Sequence, residues 1–118
     1  MLAKTARLTE SGDFLRATKS GLRSSSTHFV GYLYIEGEST HPARVGLIIG
    51  KNIGGSVLRH RLARKLRHCL REQYSKLPDG SLLVIRGLGN SSGAECCLEL
   101  TQILTTLVRK AKEQAMRK

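Results

Sequence analysis

Between Arg59 and Arg71 the sequence carries Arg59, Arg61, Arg64, Lys65, Arg67 and Arg71, with His60 and His68 among them and no acidic residue before Glu72. Guanidinium forks match phosphate oxygens in pairs, and imidazoles add further donors. The chemistry such a cluster offers is the grip of a polyanion. Wound as a helix at about 100° per residue, His60, Arg61, Arg64, Arg67, His68 and Arg71 share one arc of roughly 120°. Leu58, Leu62, Leu66, Cys69 and Leu70 take the opposite side. Basic faces on small proteins are usually laced with Glu or Asp at i+3 or i+4, and that lacing is missing. Like charge left unrelieved costs stability in the free chain, so the pattern points to an anionic partner.

Arg59 is the odd member, falling near Leu66 and Leu70 on the wheel. It reads either as a marker of the sheet edge, reaching across a strand end, or as a side chain snorkelling from the first turn. The preceding GKNIGGS invites comparison with a phosphate-gripping loop. The Walker pattern, however, needs Lys directly after the second glycine of G-x4-G, and here Gly55 is followed by Ser56. Two readings stay open: a nest for a nucleic-acid phosphate built from Lys51 and the first helix amides, or a plain tight turn at Gly54 and Gly55.

Other chemistry is hard to assemble. His28, His41, His60 and His68 show no i, i+3 or i+4 metal spacing, and no metal site is expected. The nine acids, Glu99 included, read as scattered through loops and helix exteriors, with no carboxylate pair and no nucleophile-base set, so no catalytic side chain is expected. Cys69, Cys96 and Cys97, an odd number without a CxxC pair, read as small apolar fillers with neither a disulfide framework nor a redox role.

The cluster sits in a chain of 118 residues with 20 Lys and Arg against 9 acids, a formal charge of +11. That length fits one domain over 1–118. The excess positive charge suits nucleic acid or an anionic membrane surface. No apolar run approaches the roughly 20 residues of a membrane span, and the start lacks a signal-peptide core, so a soluble cytoplasmic protein is expected.

Stepping outward from the cluster, the pattern predicts a short helix from about Gly12 to Lys19, capped by Ser11, with Phe14 and Ala17 on its inner side. A polar edge strand follows near LRSSSTH. His28 to Glu36 reads as a strand with Phe29, Gly31, Leu33 and Ile35 on one face and His28, Val30, Tyr32 and Tyr34 on the other. Both faces carry apolar or aromatic groups, so one packs on helices and the other lines something. After a turn at Glu36 to Pro42, the apolar run from Ala43 to Gly50 reads as a buried strand, paired antiparallel with its predecessor by their tight linkage. Ser56 is expected to cap the basic helix, which runs to about Tyr74. Ser81 to Arg86 reads as another buried strand. Ser92 with Glu95 forms a capping box for a last helix, whose inner stripe is Cys97, Leu100, Ile103, Leu104, Leu107, Val108 and Ala111. The basic tail from about Arg109 is expected to fray. The order α-β-β-β-α-β-α makes an α+β sandwich of two layers.

Arg44-Val45-Gly46-Leu47, then Lys51-Asn52-Ile53-Gly54, then Val57-x-Arg59-x-Arg61-x-x-Arg64-x-x-Arg67, resemble the signature of the protein subunit of bacterial ribonuclease P. The similarity extends to Arg7-Leu8, Asp13-Phe14, Gly21, Phe29-Val30-x-Tyr32 and the apolar strand ending at Arg86. It therefore covers nearly the whole chain in order. The resemblance implies a fold like domain 2 of ribosomal protein S5, with a left-handed βαβ crossover through the basic helix, against the usual preference. It implies an RNA-binding subunit of the endoribonuclease that removes the 5′ leader from precursor tRNA. Catalysis would rest with the RNA subunit and magnesium ions bound mainly by that RNA, with none bound by the isolated protein. By the same likeness Lys51, Asn52, Arg59, His60, Arg61, Arg64, Lys65, Arg67 and His68 meet the catalytic RNA. Phe14, Thr18, Tyr32 and Arg86 line a cleft for the precursor-tRNA leader. Neither a membrane nor a small-molecule substrate is implied.

The chain departs from that pattern where His60 stands for a usual Asn, Gly55 for a usual Asn, Ala63 for a usual Lys, and Thr18 for a second aromatic of the first helix. Gly55 and Ala63 lack the side-chain donors of the usual Asn and Lys, and Thr18 implies a thinner stacking wall and a weaker leader grip. His60 keeps a donor but makes its contact pH-sensitive. A different class of function, a ribosomal or ribosome-assembly protein using the basic helix as structural glue, fits the same charge pattern without needing a cleft.

Overall fold

A computed structural model describes residues 11–35, 42–77, 80–88 and 96–116. Helix α1 spans Ser11–Ser20, and strands β1, Leu22–Ser25, and β2, Phe29–Ile35, follow. Strand β3 is Arg44–Ile48, helix α2 is Ser56–Gln73, strand β4 is Ser81–Gly87 and helix α3 is Cys96–Met116. Short 3-10 turns precede and follow α2, at Lys51–Ile53 and Tyr74–Lys76. The element order is the expected one. The Ser92–Glu95 capping box and most of the turn after β2 lie outside the described residues.

One four-stranded sheet runs β1-β2-β4-β3. β1 and β2 are antiparallel, as are β2 and β4, whereas β3 runs parallel to β4. This corrects the expected β2–β3 hairpin: β4 lies between them. The reason is burial. Apart from Arg86, every residue of β4 is buried, with apolar side chains on both faces, and only a central position covers both at once. Sequence proximity loses to that demand, and α2 becomes the crossover joining two parallel neighbours.

Alternation along the strands divides the apolar residues between two faces. Phe29, Leu33, Val45, Leu83 and Ile85 meet Leu62, Leu66 and Leu70 of α2 and Leu100, Ile103, Leu104 and Leu107 of α3 in the main core. Across the sheet, α1 lies over β2 and β4, where buried Ala17 packs with Leu82 and Val84.

Four helix expectations need correction. The α2 cap is Gly55, whose extended backbone (φ −69°, ψ 173°) has its carbonyl accepting from the Arg59 amide at 3.0 Å, and no side chain caps the end. Ser56 is the first helical residue. Leu58, placed with the apolar stripe, is 41% exposed and its neighbour Val57 68%, so the buried stripe of α2 begins only at Leu62. In α3 it is Cys96 that is buried, and Cys97 is exposed but bridged to Cys69 of α2 by a disulfide. The buried stripe of α3 passes through Cys96, Leu100, Ile103, Leu104 and Leu107, and Cys97 lies at its margin, where it meets α2. Finally, α3 stays helical past Arg109 to Met116, since Leu107 and Ala111 keep its inner stripe on the core.

Candidate nucleic-acid interface

The turn before α2 sets the geometry of its start. Ile53 is buried and anchors the turn, the Ile53 amide donates to the Gly50 carbonyl at 3.1 Å, and the Gly54 amide donates to the Lys51 carbonyl at 3.1 Å. Gly54 has φ 143°, which L side chains rarely adopt, and a Cβ there would lie 2.7 Å from Leu58 Cδ1. Glycine is therefore required by the turn itself. The tight-turn reading holds, and it leaves the first amides of α2 with neither a capping side chain nor an acid in the first turn. Lys51 and Asn52 are exposed beside that positive helix end.

Along α2, burial of Leu62, Leu66, Cys69 and Leu70 fixes the helix rotation, and this turns His60, Arg61, Arg64, Lys65 and His68 outward. Arg67 is half-buried. His60, Arg64, Arg67 and His68 line one concavity of about 440 Å³. The Glu72 carboxylate approaches His68 Nε2 at 3.6 Å, with both side chains largely exposed. Such a solvated pair contributes little.

Arg59 leaves its companions, as the wheel indicated. With His60, Ala63 and Arg67 it borders a second concavity of about 350 Å³ against Leu47 and Ile49 at the end of β3. Its Nε is buried without a hydrogen-bond partner. The sheet-edge reading of this residue is the one the geometry supports. Ala63 is 7% exposed at the margin of the same hollow, so the departure there leaves room where a longer side chain would stand.

On the α1 side, Phe14, Tyr32, Tyr34 and Ile48 are half-buried around Ala17, Leu82 and Val84. Thr18 turns its hydroxyl back to the α1 backbone, donating to the Phe14 carbonyl at 3.0 Å, and so offers no stacking surface. Register pairs Val30 and Ile48 with Arg86, and Tyr32 with Val84, which puts exposed Arg86 on the same face as Tyr32. Two further residues of this face, Arg23 and Arg44, were missed by sequence reasoning, and Tyr34 was placed on it without being named as a site residue. Arg23 pairs with Tyr32 and holds its Cζ 6.0 Å from that ring, Arg44 pairs with Leu82, and Tyr34 pairs with Leu82 from the other side. Period-two alternation placed Tyr34 beside Tyr32, but only cross-strand register could add the arginines. Phe14, Tyr32 and Arg86 are thus brought to one face of the sheet. The α2 cations are carried by a helix on the opposite face.

Glu99 is not on a helix exterior. It is 8% exposed in the first turn of α3, where Oε1 accepts from Ser26 Oγ at 2.6 Å and from the His28 amide at 2.9 Å. Burial pushes its carboxyl up, but those bonds, the His28 ring bond and the attraction to His28 outweigh burial and hold it below its ordinary value.

Residues 2–112 match the family model of ribonuclease P. The chain belongs to the ribonuclease P protein family. Among its relatives, the ribonuclease P protein component of Streptomyces avermitilis is 34% identical, with 92% of this chain and 96% of that protein covered. That of Mycobacteroides abscessus is 35% identical, covering 97% and 94%. The fold agrees with solved ribonuclease P proteins at low identity. The Staphylococcus aureus protein at 2.0 Å superposes with a TM-score of 0.72 at 24% identity, covering 92% of this chain and 97% of that one. The Thermotoga maritima protein gives 0.62 at 23% identity, covering 95% and 96%. The ribonuclease P fold therefore accommodates a disulfide between the basic helix and α3, a feature that nothing in the cysteine spacing indicated.

Proposed function

We propose that α2 and the turn before it bind the catalytic RNA of a ribonuclease P holoenzyme, while the α1 side of the sheet holds the 5′ leader of precursor tRNA. Membership of the family makes this chain a protein subunit of an endoribonuclease that matures tRNA 5′ ends together with an RNA. The observation that carries the division of labour is the segregation of side chains. The outward cations of α2 stand on a helix packed against one face, and half-buried aromatic rings with Arg23, Arg44 and Arg86 stand on the other.

Each face suits its proposed ligand. Guanidinium groups without acidic neighbours neutralise phosphates of a structured RNA, and the uncapped amides of α2 add donors beside Lys51 and Asn52. Arg59, His60, Arg61, Arg64, Lys65, Arg67 and His68 extend that surface for about two and a half turns. Rings such as Phe14 and Tyr32 stack on unpaired bases without demanding sequence, and Arg86 meets the backbone beside them. Thr18 contributes a wall and no stacking.

Magnesium belongs to the RNA in this reading. Among the described residues no group of three or more His, Cys, Asp or Glu is placed to hold a metal ion. The chain acts by neutralising charge and positioning substrate. No helix among the described residues is long and apolar enough to cross a membrane. We place the protein in the cytoplasm, as a single RNA-binding domain.

The test is cleavage of precursor tRNA by the matching RNA subunit at low magnesium, with and without this protein. Addition of the protein should restore cleavage and sharpen the preference for leader-bearing substrate. Equal cleavage in both reactions would overturn the reading.

A further inference from the structure

Cys69 and Cys97 tie α2 to the first turn of α3, with their Cα atoms 5.1 Å apart at a sequence separation of 28. The two ends differ in access. Cys69 is 3% exposed within the main core, whereas Cys97 is exposed. The surroundings of Cys97 are polar: Thr101 Oγ1 donates to its carbonyl at 2.7 Å, and Gln73 Nε2 donates to Thr101 Oγ1 at 3.3 Å. Cys96 is buried on the other side of α3 and takes no part in the bridge.

We propose that Cys97 is a thiol-exchange site, through which low-molecular-weight thiols open and their disulfides close a covalent brace between α2 and α3. Attack by an external thiolate falls on Sγ of Cys97, the exposed partner of the bridge. A bond forms between the incoming sulfur and Cys97, the Cys69–Cys97 bond breaks, and Cys69 leaves with the electron pair and takes a proton from water. A second thiolate attacks the external sulfur of the mixed disulfide and releases Cys97. Two external thiols become one disulfide, and the protein gains two thiols. The reverse sequence, started by a low-molecular-weight disulfide, restores the brace.

Position favours Cys97 as the reactive sulfur. Its exposure makes it the sulfur attacked when the brace opens. As the second residue of α3, where helix amides stabilise a thiolate, it is the attacking sulfur when the brace closes, whereas burial keeps Cys69 from external reagents. The brace encloses β4 and the end of α2, so opening it enlarges the conformational freedom of the unfolded chain across that whole segment. The apolar contacts of Leu66 and Leu70 with α3 remain, and the protein stays folded. The thiol–disulfide balance around the protein thus sets how firmly the basic helix is held.

Maleimide mass-tagging of the full chain after unfolding tests the pairing. Protein equilibrated with cystine should carry one taggable thiol, and protein treated with excess cysteine should carry three. In Cys96→Ser the oxidised form should carry none. Native wild-type protein in limiting cysteine should yield an adduct located on Cys97 by mass spectrometry. Reduction should lower the melting temperature of the wild type by about 10 °C. It should leave that of the Cys69→Ser/Cys97→Ser variant unmoved. Three tags after oxidation, an adduct on Cys69 or Cys96, or a melting temperature indifferent to reduction would each overturn the proposal. None of these readouts involves RNA.

Discussion

His28 Nδ1 lies 2.7 Å from Glu99 Oε2, joining the start of β2 to the first turn of α3 across 71 residues of chain. With Ser26 and the His28 amide on Oε1, a single buried carboxylate orders the β1–β2 turn. A carboxylate in that position is stabilising only while it is charged.

Glu99 is held below its ordinary value of 4.5, so its contribution is present above that value and is lost as pH falls through the lower folded value. Glu99→Gln should cost about 1 to 3 kcal/mol near neutral pH, because charge-assisted acceptors are replaced by a weaker one. The difference from wild type should shrink as pH falls below the ordinary carboxylate value and the Glu99 carboxylate takes up its proton. Urea unfolding across that range checks it, and a difference that stayed constant would count against the network.

Arg61→Ala, Arg64→Ala and Arg67→Ala should each weaken binding of the catalytic RNA. The log-log salt slope should fall by roughly 0.7 to 0.9 per lost phosphate contact. Affinity titrations at several salt concentrations measure it. An unaltered slope would remove these residues from the RNA face.

Phe14→Ala and Tyr32→Ala should weaken the holoenzyme's grip on leader-bearing precursor by about 1 to 3 kcal/mol each and leave mature tRNA unaffected. Binding measured with both substrates separates a leader site from a general loss of structure, which would weaken both equally.

Gly31→Ala should destabilise the fold by about 1 to 3 kcal/mol through overpacking. A Cβ there would sit 2.4 Å from Ile103 Cγ2, with Leu107 and Ile85 also in contact. The branched Ile103 is 1% exposed and has little room to retreat. The midpoint of denaturant unfolding reads the loss directly, and a wild-type midpoint would show that α3 shifts freely over the sheet.

Helical periodicity alone placed the cations of α2 on one side, because a period of 3.6 residues is local and needs no partner. It also singled out Arg59, whose guanidinium stem turns toward the end of β3. The same reasoning failed at β3. A short connection predicted a hairpin, yet the strand that most needed cover on both faces took the middle of the sheet. Glu99 was misplaced for a related reason: a charge counts as exterior until three donors converge on it from a distant turn.

The order of elements, the cationic helix face and the aromatic strand were thus set by amino-acid pattern, since each depends on residues within a few positions of one another. Sheet order, the placing of Arg23, Arg44 and Arg86 on the face of Tyr32, and the Cys69–Cys97 bridge were decided only when distant segments packed. Those features depend on which surfaces can be buried together, and that is a property of the whole chain.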